Sequence, residues 1–125
     1  MDIIEISYNL YVKYIDENKG YGVFTKEFIP KNTIVENCYC LIMGVYNTSN
    51  PTYDYIFHNK NENVYFLPFG FGSIYNHSSE PNLIWNLTDN KQIIFFESLK
   101  DILPNEELTH NYGDLYLKSR KKRLL

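Results

Sequence analysis

Apolar and aromatic β-formers recur along the chain in short runs: Ile3–Tyr8, Leu10–Ile15, Gly22–Phe24, Thr33–Met43, Val64–Leu67, Leu83–Leu87 and Gln92–Glu97. Clusters of Asn, Gly, Pro and Asp separate them, among them Asp16-Glu17-Asn18-Lys19-Gly20 and the stretch Asn47–Pro51. Short strands with closely spaced turns predict a mainly β domain. Helical periodicity is confined to Tyr53–Asn59 and to the segment from Asp114 onward. The stretch Leu67–Asn82 (LPFGFGSIYNHSSEPN) follows neither period. It is apolar enough to be buried and rich in Gly, Asn, Ser and Pro. Irregular backbone in an interior must satisfy its polar groups through side chains or a ligand, so this stretch is where function is expected.

Length narrows the picture. At 125 residues the chain is expected to be one domain, 1–125, able to build a core without disulfides. The longest apolar stretch, Tyr39–Tyr46, is far below the ~20 residues a bilayer crossing needs. The acidic start Met1-Asp2-Ile3-Ile4-Glu5 lacks the pattern of a signal peptide, so an intracellular protein with no membrane partner is expected. Alanine is absent, while Asn, Ile, Tyr and Lys reach 15, 13, 12 and 10 residues. That bias implies an A+T-rich genome, as in a large DNA virus, some protists or some bacteria.

Charge is uneven. Residues 118–125 (KSRKKRLL) hold five cations, which leaves seven cations against 15 acids before them, a balance of −8. An acidic body disfavours direct nucleic-acid binding and favours a basic peptide. The basic tail 118–125 reads as a solvated helix end or as a nuclear-import or nucleic-acid patch. Cys38 and Cys40 alternate on a strand, so both thiols share one side and read as buried free thiols. With His58, His77 and His110 out of finger spacing, no metal site is expected.

Three segments carry chemistry: Gly20-Tyr21-Gly22, then Asn76-His77-Ser78-Ser79-Glu80-Pro81-Asn82, then Glu107-Leu108-Thr109-His110-Asn111-Tyr112-Gly113. In this order they resemble the SET-domain protein lysine methyltransferases, whose motifs read G-x-G, N-H-S-x-x-P-N and E-L-T-x-x-Y-G. Flanking sequence at Gly20–Glu36 and Ser98–Thr109 agrees. The likeness is closest to the minimal SET proteins of large DNA viruses. Two departures stand out: Ser79 replaces a frequent Cys, and no cysteine-rich zinc module precedes or follows the core.

The resemblance implies a SET fold of several short curved sheets, with a threaded, pseudoknot-like C-terminal motif and few short helices. Its core would span about 10–117. It implies transfer of a methyl group from S-adenosyl-L-methionine to a lysine side chain, leaving S-adenosyl-L-homocysteine. A histone tail is the expected substrate, with histone H3 favoured. Gly20, Tyr21, Gly22, Asn76, His77 and Tyr112 would bind the cofactor, with Asn76 receiving its ammonium group on the side-chain carbonyl. Tyr112 is the expected catalytic residue, and Tyr21, Tyr55, Tyr112 and Tyr116 the expected wall of the lysine channel. His110 is expected in a solvent or packing position, and Trp85, Phe69 and Phe71 in the core. A missing closing module implies that the segment Asp114–Leu125 or a second subunit completes the site, hence an expected homodimer. Nuclear localisation follows, in a host nucleus or virion for a viral source. Two readings stand beside this one: a methyltransferase of a non-histone protein, and a SET-like binding module without turnover.

Overall fold

The computed structural model describes residues 7–43, 55–59, 64–89 and 92–113. Those residues form strands β1 (Leu10–Asp16), β2 (Gly20–Thr25), β3 (Ile34–Met43), β4 (Phe57–Asn59) and β5 (Val64–Pro68). They continue as β6 (Asn76–His77), β7 (Leu83–Leu87), β8 (Ile93–Ser98) and β9 (Glu107–His110), with no α-helix among the described residues. The fold is mainly β, in two sheets ordered β1-β2-β9-β6 and β4-β5-β3-β8-β7.

The first hairpin shows how local sequence sets the register. Asp16 Oδ1 accepts from the backbone amides of Asn18 (2.9 Å) and Lys19 (2.8 Å), closing the turn. Gly20 then takes φ +69°, a left-handed conformation that costs a glycine little. The turn sets Tyr14 opposite Tyr21 and Lys13 opposite Gly22. In the larger sheet β3 is central, antiparallel to both β5 and β8. One core cluster draws Val23 and Leu108 from the smaller sheet together with Val35, Phe66, Leu83, Ile94 and Phe96 from the larger. Ile29 and Ile102, fully buried, bridge the segments between them.

Strand β9 closes the fold. It lies between β2, antiparallel, and β6, parallel. Beyond β6, the chain stays on β9: Ser78 N donates to His110 O (3.1 Å). The buried Asn82 donates from Nδ2 to Glu107 O and accepts on Oδ1 from Thr109 N, each at 2.8 Å. One side-chain amide thus replaces a strand partner on this edge. This is the threaded motif, and it brings the second and third sequence segments side by side.

Two expectations are corrected. The helix expected over Tyr53–Asn59 does not run to its end: Tyr55 sits in a 3-10 turn, but Phe57–Asn59 is strand β4 paired with β5. Pairing places Phe57 in the core, edge-on to Trp85 (5.1 Å), and tertiary burial overrides the weak helical period. Phe69, expected in the core, is 50 % exposed and stacks on Tyr39 at 6.5 Å on the outer face. Trp85 and Phe71 do pack against the core. Cys38 and Cys40 are both buried, as their shared side requires; burial pushes both thiols up, Cys40 to about 11. The run Ile3–Tyr8 mostly, and the expected C-terminal helix with Tyr116 and the tail 118–125 entirely, lie outside the described residues.

Candidate functional site

The first sequence segment meets the other two at Gly22. A Cβ there would lie 2.5 Å from Glu107 Oε2, 2.8 Å from Ile15 Cδ1 and 2.9 Å from Asn76 Nδ2, so only glycine fits. Asn76 Nδ2 donates to the Tyr21 carbonyl (3.1 Å) and to Glu107 Oε2 (2.8 Å). Both amide protons are thereby used. The side-chain orientation is fixed, and Oδ1 is left to accept. A carbonyl oxygen held beside a half-buried carboxylate suits a ligand ammonium group. The residues therefore fit the amino-acid end of a cofactor such as S-adenosylmethionine, which the Gly20–Gly22 backbone and Asn76 would hold.

Tyr112 follows β9 directly. Its backbone N–H donates to His77 Nδ1 (3.1 Å), and its hydroxyl donates to the Tyr75 carbonyl (2.6 Å). Its ring lies 5.3 Å from that of His77 and 4.8 Å from that of His110. Gly113, next in the chain, takes φ +93°, and its N–H donates to Asn111 Oδ1 (2.8 Å). The Tyr112 hydroxyl is thus held in place by the Tyr75 carbonyl. Burial lowers the pKa of His77, whose Nδ1 is an acceptor and whose other ring nitrogen carries the proton.

The remaining aromatic residues are placed as follows. Tyr21 is 60 % exposed and meets Tyr14 edge-on at 5.5 Å. Tyr55 is about half exposed, and its carbonyl accepts from Ser73 Oγ (2.7 Å). Tyr116 lies outside the described residues. His110 is a packing residue, as one reading of its motif expected. It is buried, stacks on Phe57 at 5.3 Å and faces Phe96 edge-on at 5.8 Å. Burial pushes it down to about 4, so it is neutral at pH 7 and a weak base. Its Nδ1 is buried without a hydrogen-bond partner.

Sequence reasoning missed Glu36 and Tyr75. Glu36 is 1 % exposed on β3, where it accepts from Phe71 N (2.8 Å) and from the Tyr75 hydroxyl (2.6 Å). Burial raises its pKa, and the hydrogen bonds from Tyr75, Phe71 and Cys38 pull it partly back. The signal was present: an acid inside the apolar run Thr33–Met43, with an unplaced irregular stretch later in the chain. Among the described residues no three His, Cys, Asp or Glu side chains group as a metal site would require.

This fold, with a glycine hairpin, an Asn-His strand and a tyrosine after a threaded strand, defines a SET domain. Residues 20–113 match the SET domain family, and the chain belongs to it. It is 35 % identical over 106 residues to the histone-lysine N-methyltransferase, H3 lysine-37 specific, of Schizosaccharomyces pombe, covering 78 % of this chain and 69 % of that protein. It is 29 % identical to the bovine histone-lysine N-methyltransferase SETMAR, covering 81 % of this chain and 40 % of that longer protein. Among solved structures, a candidate histone methyltransferase of Plasmodium falciparum superposes with a TM-score of 0.69 at 27 % identity, covering 86 % of this chain and 96 % of that one. KRYPTONITE, solved with DNA, an H3(1-15) peptide and S-adenosylhomocysteine, gives 0.69 at 25 % identity, over 88 % of this chain and 24 % of its own.

Proposed function

We propose that this protein is an S-adenosylmethionine-dependent protein-lysine N-methyltransferase acting on a histone tail, with histone H3 as the substrate. One observation carries the reading: Gly22, Asn76 and Glu107 meet, and Tyr112 lies against His77, the residue next to Asn76, so three distant segments come together. Relatives named as histone-lysine methyltransferases and a neighbour holding an H3 peptide support the substrate class. The acidic body supports a basic peptide.

S-adenosylmethionine supplies, when bound, an electrophilic methyl group on a positive sulfur. Gly20, Tyr21 and Gly22 would offer backbone to it, Asn76 would receive its ammonium group, and His77 would contact its adenine. Tyr112 is the catalytic residue. Its oxygen accepts from the polarised CH groups, and its ring face stabilises nearby positive charge by roughly 0.5–2 kcal/mol. Holding amine and methyl in line contributes roughly 7–11 kcal/mol of barrier reduction. The substrate amine, with an ordinary pKa of about 10.4, loses its proton on entering an aromatic channel beside positive charge. Tyr21, Tyr55, Tyr112 and Tyr116 form that channel. No dedicated base is required, and His110 is too weak a base for the role.

Residues 1–125 act as one domain with its core at about 10–117, its site completed by the segment Asp114–Leu125 or by pairing with a second copy. A large DNA virus as source, with action in the host nucleus, fits the residue bias. Incubation with tritiated S-adenosylmethionine and histones tests the activity. Transfer by the wild type, lost in Tyr112→Phe, supports it. Cofactor binding without transfer to histones or other proteins favours a silent binding module. A monomeric mass with full activity removes the pairing.

A further inference from the structure

Glu36 is the most deeply buried acid in the described core and makes no ion pair with a described residue. A leucine or methionine would fill such a position without the cost of burying a carboxylate. What the carboxylate does there is grip an irregular segment at both ends. Oε2 accepts from Phe71 N and Oε1 from the Tyr75 hydroxyl. Just before Phe71 the backbone comes so close that a Cβ on Gly70, itself at φ +80°, would overlap Glu36 Oε2. Tyr75, 1 % exposed, packs its ring on Phe96 at 4.7 Å, and Phe96 stands opposite Glu36 across β3 and β8. The next two residues are Asn76 and His77, and the Tyr75 carbonyl receives the Tyr112 hydroxyl at 2.6 Å.

We propose that Glu36 is a positioning residue for methyl transfer: through the Tyr75 phenol it sets the carbonyl that fixes the hydroxyl of Tyr112. The proposal rests on the role given to Tyr112 above. Two acceptor oxygens are required, one for each end of the segment. A glutamine that keeps its oxygen on Phe71 N–H turns its NH2 toward Tyr75, whose hydroxyl must then accept, so the charge-assisted bond is lost and the phenol proton is left without its carboxylate acceptor. Loss of either grip lets the Tyr75 carbonyl move, and the Tyr112 oxygen moves with it. Displacements of about 1 Å at a reacting centre can lower rates about 10²-fold, so a smaller shift here is expected to lower kcat about tenfold.

The test compares wild type, Glu36→Gln and Tyr75→Phe, the last of which keeps the carboxylate and its bond to Phe71. Each is examined well below its melting temperature for S-adenosylhomocysteine binding, for kcat and KM on histone H3, and for the ring resonance of 13C-labelled Tyr112, assigned by its loss in Tyr112→Phe. Both variants are expected to bind S-adenosylhomocysteine within about threefold of wild type, to keep KM, to lose about tenfold in kcat and to shift the Tyr112 resonance. Should Glu36→Gln fail to fold, Tyr75→Phe carries the test. An unmoved Tyr112 resonance overturns the proposal, as does a kcat loss matched by an equal loss of cofactor binding. If the wild type transfers no methyl group, the resonance still decides the positioning, and the proposed activity fails on its own.

Discussion

Glu36 and Glu107 each hold a neighbouring polar group, at different depths of the same molecule. Glu36 is sealed inside, with Phe71 N–H and the Tyr75 hydroxyl as partners. Glu107 is half-buried at the start of β9, with the Asn76 amide as its partner. The buried acid organises backbone that follows no regular pattern. The outer acid orients the Asn76 amide, whose carbonyl is left to accept. The first ties core backbone together and the second borders the proposed cofactor site, and hydrogen bonds run from Glu36 to Tyr75 and from Tyr75 to Tyr112. Substitutions at the sealed region are therefore expected to lower stability as well as turnover, and those at the outer region to lower turnover or cofactor binding with little loss of stability.

The largest effect is expected at the sealed end. Glu36→Ala strands Phe71 N–H and the Tyr75 hydroxyl in the core and is expected to cost roughly 4 kcal/mol, read by urea unfolding. Next comes acid. His110 is neutral in both states at pH 7; below its ordinary 6.5 the unfolded chain gains a proton that the folded chain refuses until about pH 4. Stability is thus lost as pH falls through that window, by roughly 3 kcal/mol. Glu36 opposes this: its raised pKa means the folded state holds a proton better, so protonation near the acid end restores some stability. His110→Phe, which keeps the stack on Phe57, is expected to flatten the loss in melts between pH 7 and pH 4.

At the open end, Tyr112→Phe is expected to lower transfer about 10²-fold with melting little changed. Gly22→Ala forces its new methyl against Asn76 and Glu107, and is expected to weaken cofactor binding about tenfold by calorimetry, since the amide must turn. The smallest effect belongs on the outer sheet face. Tyr39→Ser, which leaves Phe69 without its stacking partner, is expected to change stability within about 0.5 kcal/mol.

What the chain disclosed before its structure was known follows from local rules. The Asp16–Gly20 turn, the long strand β3 and the alternating strands β7 and β8 are fixed by short-range chemistry, and their runs could be read directly. Strands β4, β6 and β9, of three, two and four residues, are too short to show a period. Strands β6 and β9 form because distant segments pair with them, and β4 because the neighbouring β5 does. The three motif segments were legible as residues, but not why they meet. The overlap at Gly22 and the bridging by Asn82 involve atoms contributed by segments far apart along the chain. Glu36 was harder still, because an acid in a β run ordinarily faces water, and only the irregular segment wrapped around it explains its burial.

Mass spectrometry of histone H3 after incubation with S-adenosylmethionine, using wild type beside Tyr112→Phe, is the most direct measurement of whether the converged segments perform methyl transfer. Lysine residues carrying added methyl groups with the wild type, and almost none with the variant, are the expected result. Equal methylation by both proteins, or none by a wild type that binds the cofactor, would contradict the role assigned to Tyr112.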